Sequence, residues 1–347
     1  MSELLTAKTE NDMVDTDTKS SVKIESMIKK TDFFSAGGRD LLLIRLKATG
    51  GNFMRISTST NIHEIYGQDP YYFTIEESMQ LCAKAGFQVV DINFHSASLP
   101  GGPLDCPEWE SWIENIGKLK EELHLDISQG HAHFYVFPAE EEELRWHEKM
   151  IERSIHAAGR LGVRWLVVHP YSLEDAAWYS HRKSIEANLH YMKRYEKIAE
   201  PYKNLGLAIE NMVENRDKRR FGSSAEDLIE LHTALDSERF GLCWDFGHAE
   251  RSQINQCAAL RQMGKRLKAT HIEDTNGLYF GCDHLVPFAG DVDWANIMKT
   301  LKEIGYEGDA VFEIHNFTRR MPIELREDVV RFCYRLGSYL VSMAEHA

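Results

Sequence analysis

Residues 206–245 read GLAIENMVENRDKRRFGSSAEDLIELHTALDSERFGLCWD, and this stretch holds one complete repeat of the fold. It contains two short apolar runs, 206–209 and 240–244, separated by an amphipathic stretch at 224–235. That stretch opens with Ser224 ahead of Glu226 and Asp227, a pattern typical of a helix N-terminus. Short runs that are apolar at nearly every position are typical of parallel strands buried on both faces. The sequence therefore predicts a strand, a helix and a second, parallel strand.

The same pattern recurs eight times between Met54 and the C-terminus. The predicted strands are 54–58, 88–92, 126–128, 164–168, 206–209, 240–244, 268–272 and 310–314. The predicted helices are 74–85, 107–122, 141–161, 181–204, 224–235, 251–266, 294–304 and 322–343. The first has a capping box, and we expect left-handed glycine stops at Gly86, Gly162, Gly206 and Gly305. Eight alternations predict an α/β fold, a (β/α)8 TIM barrel formed by residues 53–347 as a single domain.

Residues 1–52 differ from the rest of the chain because they are polar and have one apolar cluster, at 41–44. This composition predicts a disordered tail or a non-native extension. Gly50 and Gly51 stand shortly before Met54, and two glycine codons can spell a purine-rich ribosome-binding sequence. We therefore hypothesise that the native protein begins at Met54, which mass spectrometry of the native N-terminus would test.

The composition narrows the class of protein. The 347 residues are 43% hydrophobic and 27% charged, with a formal net charge of −14, which argues against a nucleic-acid partner. No apolar run reaches the roughly 18 residues of a membrane-spanning helix, so we expect no membrane insertion. The six cysteines contain no C-x-x-C pair and no apolar signal segment opens the chain, which favours a reducing, cytoplasmic setting. The sequence is compatible with a homo-oligomer and with a monomer.

Four successive predicted strands end in residue types that bind metals: Glu210, Asp245, His271 and Glu313. Any one of them would be satisfied at a solvent-facing strand end or as a helix cap. Together they would gather at the C-terminal mouth of a barrel, where unpaired carboxylates after apolar runs are costly to bury and a shared cation removes that cost. Three carboxylates and one imidazole favour Mn²⁺, Mg²⁺ or Co²⁺, with Zn²⁺ left open.

Specific motifs accompany these residues. They are Asp245-x-x-His248, His271, the segment 283–294 (DHLVPFAGDVDW) and the ending 305–308 followed by Phe312 and Glu313. With these motifs, the chain from Met54 onward resembles the xylose isomerase-like TIM barrels. This group contains sugar phosphate isomerases and epimerases and is related to endonuclease IV.

The resemblance implies a function. Ketose 3-epimerases of this group hold one metal ion on positions matching Glu210, Asp245, His271 and Glu313, and the two glutamates also act as acid and base. The resemblance therefore implies a divalent ion, Mn²⁺ first, and proton transfer beside the carbonyl of a small carbohydrate.

The chain also departs from the epimerases. They carry a substrate-binding glutamate about six residues after the first metal ligand and an arginine about six after the metal histidine, where this chain has Arg216 and Gly277. His248 of that substrate-binding set remains. Dehydration of a keto-inositol or cleavage of an oxidised C-glycoside therefore stays open. So does an endonuclease IV-like hydrolase with three zinc ions, which would add His131 or His133, His169 and Asp283 as ligands.

Further substrate contacts are candidates by position. The imidazoles His131, His133 and His169 follow the third and fourth strands, and each is either in the site or structural. Asp283 and His284 lie in the loop after the seventh strand, and Trp178 lies in the loop after the fourth. Arg216 begins a basic cluster with residues 218–220, which either grips a phosphate or carboxylate or is a solvated loop.

Overall fold

The computed structural model describes residues 54–62, 74–136, 140–174, 179–214, 219–278, 281–319 and 321–346. These residues fall within one compact unit, Met54–Ala347. The predicted tail, 1–52, lies outside the described residues, as do the two candidates Trp178 and Arg216.

Eight parallel strands form the centre of the molecule. They are β1 (Ile56–Ser59), β2 (Val89–Asn93), β3 (Asp126–His131), β4 (Trp165–Val168), β5 (Gly206–Glu210), β6 (Phe240–Asp245), β7 (Leu267–His271) and β8 (Ala310–Phe312). The hydrogen-bonded order is β7-β6-β5-β4-β3-β2-β1-β8. Beside β7 and β8, the Ile272 N–H donates to the Val311 carbonyl at 2.6 Å and the Glu313 N–H donates to the Ile272 carbonyl at 3.1 Å. The sheet is a nearly closed barrel, so the predicted (β/α)8 fold is confirmed.

Helices follow the strands around the barrel. They are α1 (Ile75–Ala85), α2 (Phe94–Ala97), α3 (Trp109–Glu122), α4 (Glu141–Leu161), α5 (His181–Ala199), α6 (Ala225–Leu235), α7 (Phe246–Arg251), α8 (Gln256–Met263), α9 (Trp294–Glu303), α10 (His315–Thr318) and α11 (Arg326–His346). Short 3₁₀ turns occupy Thr60–Ile62, Gly264–Arg266 and Ile323–Leu325. No helix within the described ranges is long and apolar enough to cross a membrane. All six cysteines are free thiols.

Capping residues in the sequence predicted several helix ends correctly. Thr74 and Glu77 form the predicted capping box of α1, and Ser224 caps α6 by accepting from the Asp227 N–H. Gly86, with φ of 114°, closes α1 in the left-handed region that glycine tolerates.

Three helices differ from the prediction by more than two residues at an end, and one of them, predicted over 322–343, is α11. The helix predicted over 251–266 is the shorter α8 followed by a 3₁₀ turn. It begins late because Gln253 has a φ of 56° and Asn255 caps the helix through the Ala258 N–H. The helix predicted to reach 204 ends at Ala199, just ahead of Pro201, which lacks a backbone donor. Gly206 is therefore no helix stop. It begins β5, where an added Cβ would lie 2.2 Å from the Trp165 ring.

The alternation of side chains along the strands builds the site. Leu207 and Ile209 of β5 face the helices, so Ala208 and Glu210 face the barrel interior. Small side chains from four neighbouring strands pack together inside the barrel: Val167, Ala208, Cys243 and Ala269. Two residues beyond each of them come His169, Glu210, Asp245 and His271. An apolar floor thus lies one layer beneath a ring of polar residues.

Candidate active site

Glu210, Asp245, His271 and Glu313 converge at the C-terminal end of β5 to β8. We call these four residues the ligand quartet. One potential ligand atom from each lies within 4.8 Å of those of the other three, and all four side chains are buried. His271 Nδ1 lies 2.6 Å from Glu210 Oε1, 3.2 Å from Glu313 Oε2 and 3.9 Å from Asp245 Oδ2. A single point is therefore surrounded by three carboxylates and one imidazole.

Asp245 has two functions at this point. Its Oδ1 accepts from the His248 N–H at 2.7 Å and so caps α7. Its Oδ2 is buried and has no hydrogen-bond partner among the described residues. A buried carboxylate oxygen left without a partner is costly. The orphaned oxygen and the donor set around it fit a divalent cation.

The charges of the quartet compensate one another. Burial favours the neutral acid, but the positive charge of His271 and hydrogen bonds from His131 and His169 hold the pKa of Glu210 well below its usual range. Burial likewise opposes ionisation of Glu313, yet His271 lowers the pKa of that carboxyl to about 2. Burial disfavours the imidazolium of His271, but the two glutamates raise its pKa well above the usual value. Both glutamates are ionised and require a positive charge beside them.

Glu210 also connects the quartet to the imidazoles of β3 and β4. Its Oε2 lies 2.9 Å from His169 Nε2 and 3.2 Å from His131 Nε2. Burial lowers the pKa of His169 to about 4, and the nearby charge of Arg220 adds to this shift. His169 is therefore a neutral imidazole at physiological pH, in contact with an ionised carboxylate.

A cavity of about 530 Å³ opens above Glu210 and Glu313. The predicted substrate contacts that line it are His131, His169, His248, Asp283 and His284. The His248 Nδ1–H donates to the Asn211 carbonyl at 2.9 Å, and the His284 Nδ1–H donates to the Glu313 carbonyl at 3.1 Å. Each ring therefore keeps Nε2 for other partners.

Other predicted contacts lie elsewhere or are already engaged. His133 does not line the cavity: its Nδ1 lies 2.6 Å from Ser98 Oγ and its Nε2 lies 2.7 Å from His147 Nδ1. β3 ends at His131, so strand alternation no longer governs where His133 points. Asp283 lines the cavity, but its carboxylate is ion-paired with Arg251.

Several lining residues were not singled out from the sequence. They are Asn61, Asn93, His95, Phe134, Arg251 and His315. Asn61 follows β1, and its Nδ2 donates to Glu313 Oε1 at 3.3 Å. Most of these residues follow strand ends on short turns or helices, where no periodic signal marks them.

Glu273 is a buried carboxylate that strand alternation could have identified, because it lies two residues beyond His271. It is fully buried beside Asp245, and both burial and the charge of Asp245 hold its pKa well above the usual range. An added Cβ at Gly247 would lie 2.4 Å from the Glu273 carboxyl carbon. Gly247 therefore leaves room for a carboxyl group next to the quartet.

The loop between β7 and α9 is anchored by Asp274. Its carboxylate accepts from the backbone N–H groups of Thr275, Phe288 and Val292 and from the Trp294 indole, at 2.8–3.1 Å. These bonds fix the loop that carries Asp283 and His284. The predicted segment 283–294 thus has a structural role as well as cavity contacts.

The fold and this centre define the class: a (β/α)8 barrel with a buried carboxylate and imidazole group at its C-terminal mouth. The sequence profile of the xylose isomerase-like TIM barrel family matches residues 79–336. The chain belongs to this family. Gly277, at the position of the epimerase arginine, lines a different cavity, together with Glu250 and Asp291.

Curated relatives match parts of the chain. An uncharacterised protein of Methanocaldococcus jannaschii is 28% identical over 51% of this chain and 59% of its own length. The D-psicose 3-epimerase of Enterocloster bolteae is 30% identical over 29% of this chain and 31% of its own length. A probable endonuclease 4 of Mesomycoplasma hyopneumoniae is 24% identical over 42% of this chain and 52% of its own length. The chain thus spans less than two thirds of each.

Solved structures support the fold over a longer range. A D-tagatose 3-epimerase-like protein superposes with a TM-score of 0.63 at 22% identity, over 84% of this chain and 99% of its own. The IolI protein, solved with a zinc atom, gives a TM-score of 0.64 at 18% identity, over 84% and 99%. The 3-keto-D-glucoside 4-epimerase of E. coli gives 0.59 at 18% identity, over 81% and 98%.

Proposed function

We propose that this protein is a metal-dependent sugar isomerase or epimerase that transfers a proton at a carbon next to a carbonyl. The observation that carries the proposal is the pair Glu210 and Glu313. Both line the cavity, both are held ionised, and both contact the same atom of His271. Two carboxylate bases facing one substrate pocket suit the removal and return of a carbon-bound proton.

The ligand quartet would hold one divalent ion, Mn²⁺ in preference to Mg²⁺, Co²⁺ or Zn²⁺. When bound, such an ion acidifies a proton beside a carbonyl by withdrawing electron density from the carbonyl oxygen. Glu210 would accept the proton on one face of the substrate, since hydrogen bonds keep its carboxylate ionised. Glu313 would return a proton on the other face, with Asn61 orienting its carboxylate at 3.3 Å.

The histidines that line the cavity would hold the hydroxyl groups of a carbohydrate. A neutral His169 accepts or donates one hydrogen bond, and the free Nε2 atoms of His248 and His284 serve the same purpose. His131 would orient Glu210 through their 3.2 Å contact. Contacts to substrate from His133, Trp178 and Arg216 stay predictions.

A dehydratase or lyase would begin with the same step. After Glu210 removes the proton, loss of a hydroxyl or glycosyl group from the next carbon gives elimination in place of reprotonation. The product distinguishes these reactions from isomerisation.

An endonuclease IV-like hydrolase is favoured by one observation. His131, His169 and Glu210 form a second group whose potential ligand atoms lie within 4.8 Å of one another. The engagement of Asp283 by Arg251 is unfavourable for a third metal site there. Metal analysis separates the two functions, because one ion per chain supports the isomerase and three zinc ions support the nuclease.

The decisive experiment is proton exchange in D₂O. The Mn²⁺-loaded protein is incubated with ketoses, keto-inositols and 3-keto-glycosides, and deuterium at carbon is read by NMR. Glu210→Gln and Glu313→Gln should each lower exchange by about a thousandfold. Glu186→Gln, on the exposed face of α5, is the matched control and should leave the rate unchanged. Full exchange in both active-site variants would refute the two-carboxylate mechanism.

A further inference from the structure

Arg220 brings a positive charge to the cavity wall, and its guanidinium is unusual in its lack of partners among the described residues. Its side chain lines the cavity and is half-buried, yet its guanidinium makes no hydrogen bond or ion pair with any residue that the structure describes. Buried guanidinium groups are nearly always paired, because removing a charge from water is costly.

Two neighbouring arginines are already ion-paired. Arg219 contacts the carboxylates of Glu214 and Asp227, each at 2.6 Å. Arg251, the other arginine lining the cavity, is ion-paired with Asp283. Their ion pairs leave neither side chain free to receive a ligand without first breaking a contact. Arg220 requires no such rearrangement.

The backbone of Arg220 is fixed, although its guanidinium has no hydrogen-bond partner in the described ranges. Its carbonyl accepts from Arg219 Nη1 at 2.8 Å, from Ser223 Oγ at 2.9 Å and from the Ser223 N–H at 3.3 Å. The next residue, Phe221, is fully buried, and its N–H donates to Ser172 Oγ at 3.0 Å. Arg220 is therefore held at the cavity wall before any ligand arrives, which reduces the entropy lost on binding.

The carboxylates of the cavity have other partners. Glu210 is held by His131, His169 and His271, Glu313 contacts His271 and Asn61, and Asp283 is paired with Arg251. No ion pair joins any of them to Arg220 in the described part of the chain. Within the described residues only the more distant charge of Glu210 acts on this guanidinium, which leaves its hydrogen-bonding groups open to an anionic ligand.

We propose that the substrate carries an anionic group, a phosphate ester or a carboxylate, and that Arg220 binds it. The inference rests on the proposed function, because it places the reacting carbons at Glu210 and Glu313 and the anionic group at the β5–α6 side of the same cavity. The planar guanidinium fork matches the paired oxygens of phosphate and carboxylate. Arg220 thereby acts as a specificity-determining residue.

The test compares three members of one substrate series: a neutral keto sugar, its terminal phosphate ester and the corresponding sugar acid. In the D₂O exchange assay with Mn²⁺, Arg220→Gln should lower kcat/KM for the preferred anionic member by about 30-fold or more. The rate with the neutral member should fall much less, since Arg220 acts on Glu210 and His169 through its charge and not by contact. The phosphate ester and the sugar acid are then compared. The one whose kcat/KM falls more in Arg220→Gln carries the natural anionic group.

Two controls sharpen the result. Arg220→Lys keeps the charge but lacks the fork, so part of the anionic preference should return. Arg182→Gln removes an exposed arginine of α5 and should change nothing. Equal losses of neutral and anionic substrates in Arg220→Gln would overturn the proposal, and so would no preference for an anionic member in the wild type.

A binding measurement keeps this proposal separable from the proposed function. Inorganic phosphate and acetate are titrated into the metal-loaded wild type and Arg220→Gln by calorimetry. Absence of exchange with every substrate would refute the proposed function alone, and the titration would then decide on Arg220. At least one of the two ions should bind the wild type more tightly than it binds Arg220→Gln, by about tenfold or more. Equal affinities for both ions in both proteins would overturn the anion site.

Discussion

The two halves of the barrel mouth carry different chemistry. β5 to β8 end in the ligand quartet, with three carboxylates and one imidazole buried together. The described ends of β1 to β4 present amides and imidazoles: Asn61, Asn93, His131 and His169. The first half concentrates carboxylates, whereas the strand ends of the second offer amides and imidazoles. Beneath them Asp91 of β2 is also fully buried, and burial raises the pKa of its carboxyl to about 6. Glu210 joins the halves, since its two oxygens contact His271 on one side and His169 on the other.

The comparison teaches where metal and substrate chemistry should separate. Burial favours the neutral form of the Asp91 carboxyl in the second half, which reduces its competition for an ion at the quartet. The neutral imidazole of His169 adds no charge and still orients hydroxyl groups. Burial opposes the imidazolium of His131, but Glu210 outweighs it and raises the pKa of that ring. Single substitutions on either side should therefore have different consequences.

Asp245→Asn should weaken binding of the divalent ion by about 100-fold or more, since even residues that only orient metal ligands contribute about 10 to 100-fold. Asparagine keeps an oxygen that can cap α7, so the change removes charge with little change in shape. His169→Asn, in the opposite half, removes a residue that only orients the ligand Glu210, so it should weaken metal binding by about tenfold, less than Asp245→Asn does. Competition with a fluorescent chelator measures both. Equal weakening would mean that the two halves form one metal site.

Removal of the metal should destabilise the wild type by about 2.7 kcal/mol when the ion is present at 100 times its dissociation constant. Thermal unfolding with and without a chelator measures the difference. The His169→Asn variant should keep part of this dependence and Asp245→Asn should lose most of it. Without metal, Asp245→Asn should be the more stable protein relative to the wild type, because it removes a buried, orphaned charge. A wild type that is indifferent to the chelator would contradict the cation requirement of the quartet.

His169→Asn should lower kcat/KM by about 30-fold, because a hydrogen bond to a charged group is worth about 2 kcal/mol. His169 Nε2 lies 2.9 Å from Glu210 Oε2, so the loss falls on the orientation of the proposed base. Initial rates at saturating Mn²⁺ provide the measurement. In the background of Glu210→Gln the same change should cost far less, since its partner charge is gone. If the losses of the two single variants added up in the double variant, His169 would not act through Glu210.

The ligand quartet could be predicted from sequence because strand alternation is regular. Ala208 and Glu210, or Ala269 and His271, are two residues apart and share one face, so each strand end fixed a side-chain direction. The same rule extends to Glu273, which the sequence analysis left aside. Eight short strands with helices between them were also sufficient for the fold.

The rest of the site depends on geometry beyond the strands. His95 and His315 lie on the short helices α2 and α10, whose direction no periodic pattern reveals. The pairing of Arg251 with Asp283 joins residues from two separate loops, which charge alone does not predict. His133 is two residues from His131, the spacing that places Ala208 and Glu210 on one face. Since β3 ends at His131, this spacing does not direct His133 into the cavity. Arg219 and Arg220 are indistinguishable in sequence and differ only in their partners.

The smallest expected effect is a change in the pH dependence of stability that comes from His133, which lies outside the cavity. Burial lowers the pKa of His133 from 6.5 to about 3. Between those values the unfolded chain binds more protons than the folded protein, so stability is full above about pH 6.5 and falls as the pH drops. From pH 7.5 to 5.5 this one group should remove about 1.4 kcal/mol of stability. His133→Asn should unfold more easily at both pH values, yet its loss over that interval should be smaller by that amount. His190→Asn, exposed on α5, is the matched control and should keep the wild-type slope. Denaturant unfolding at the two pH values measures both slopes. An unchanged slope in His133→Asn would place the acid sensitivity elsewhere.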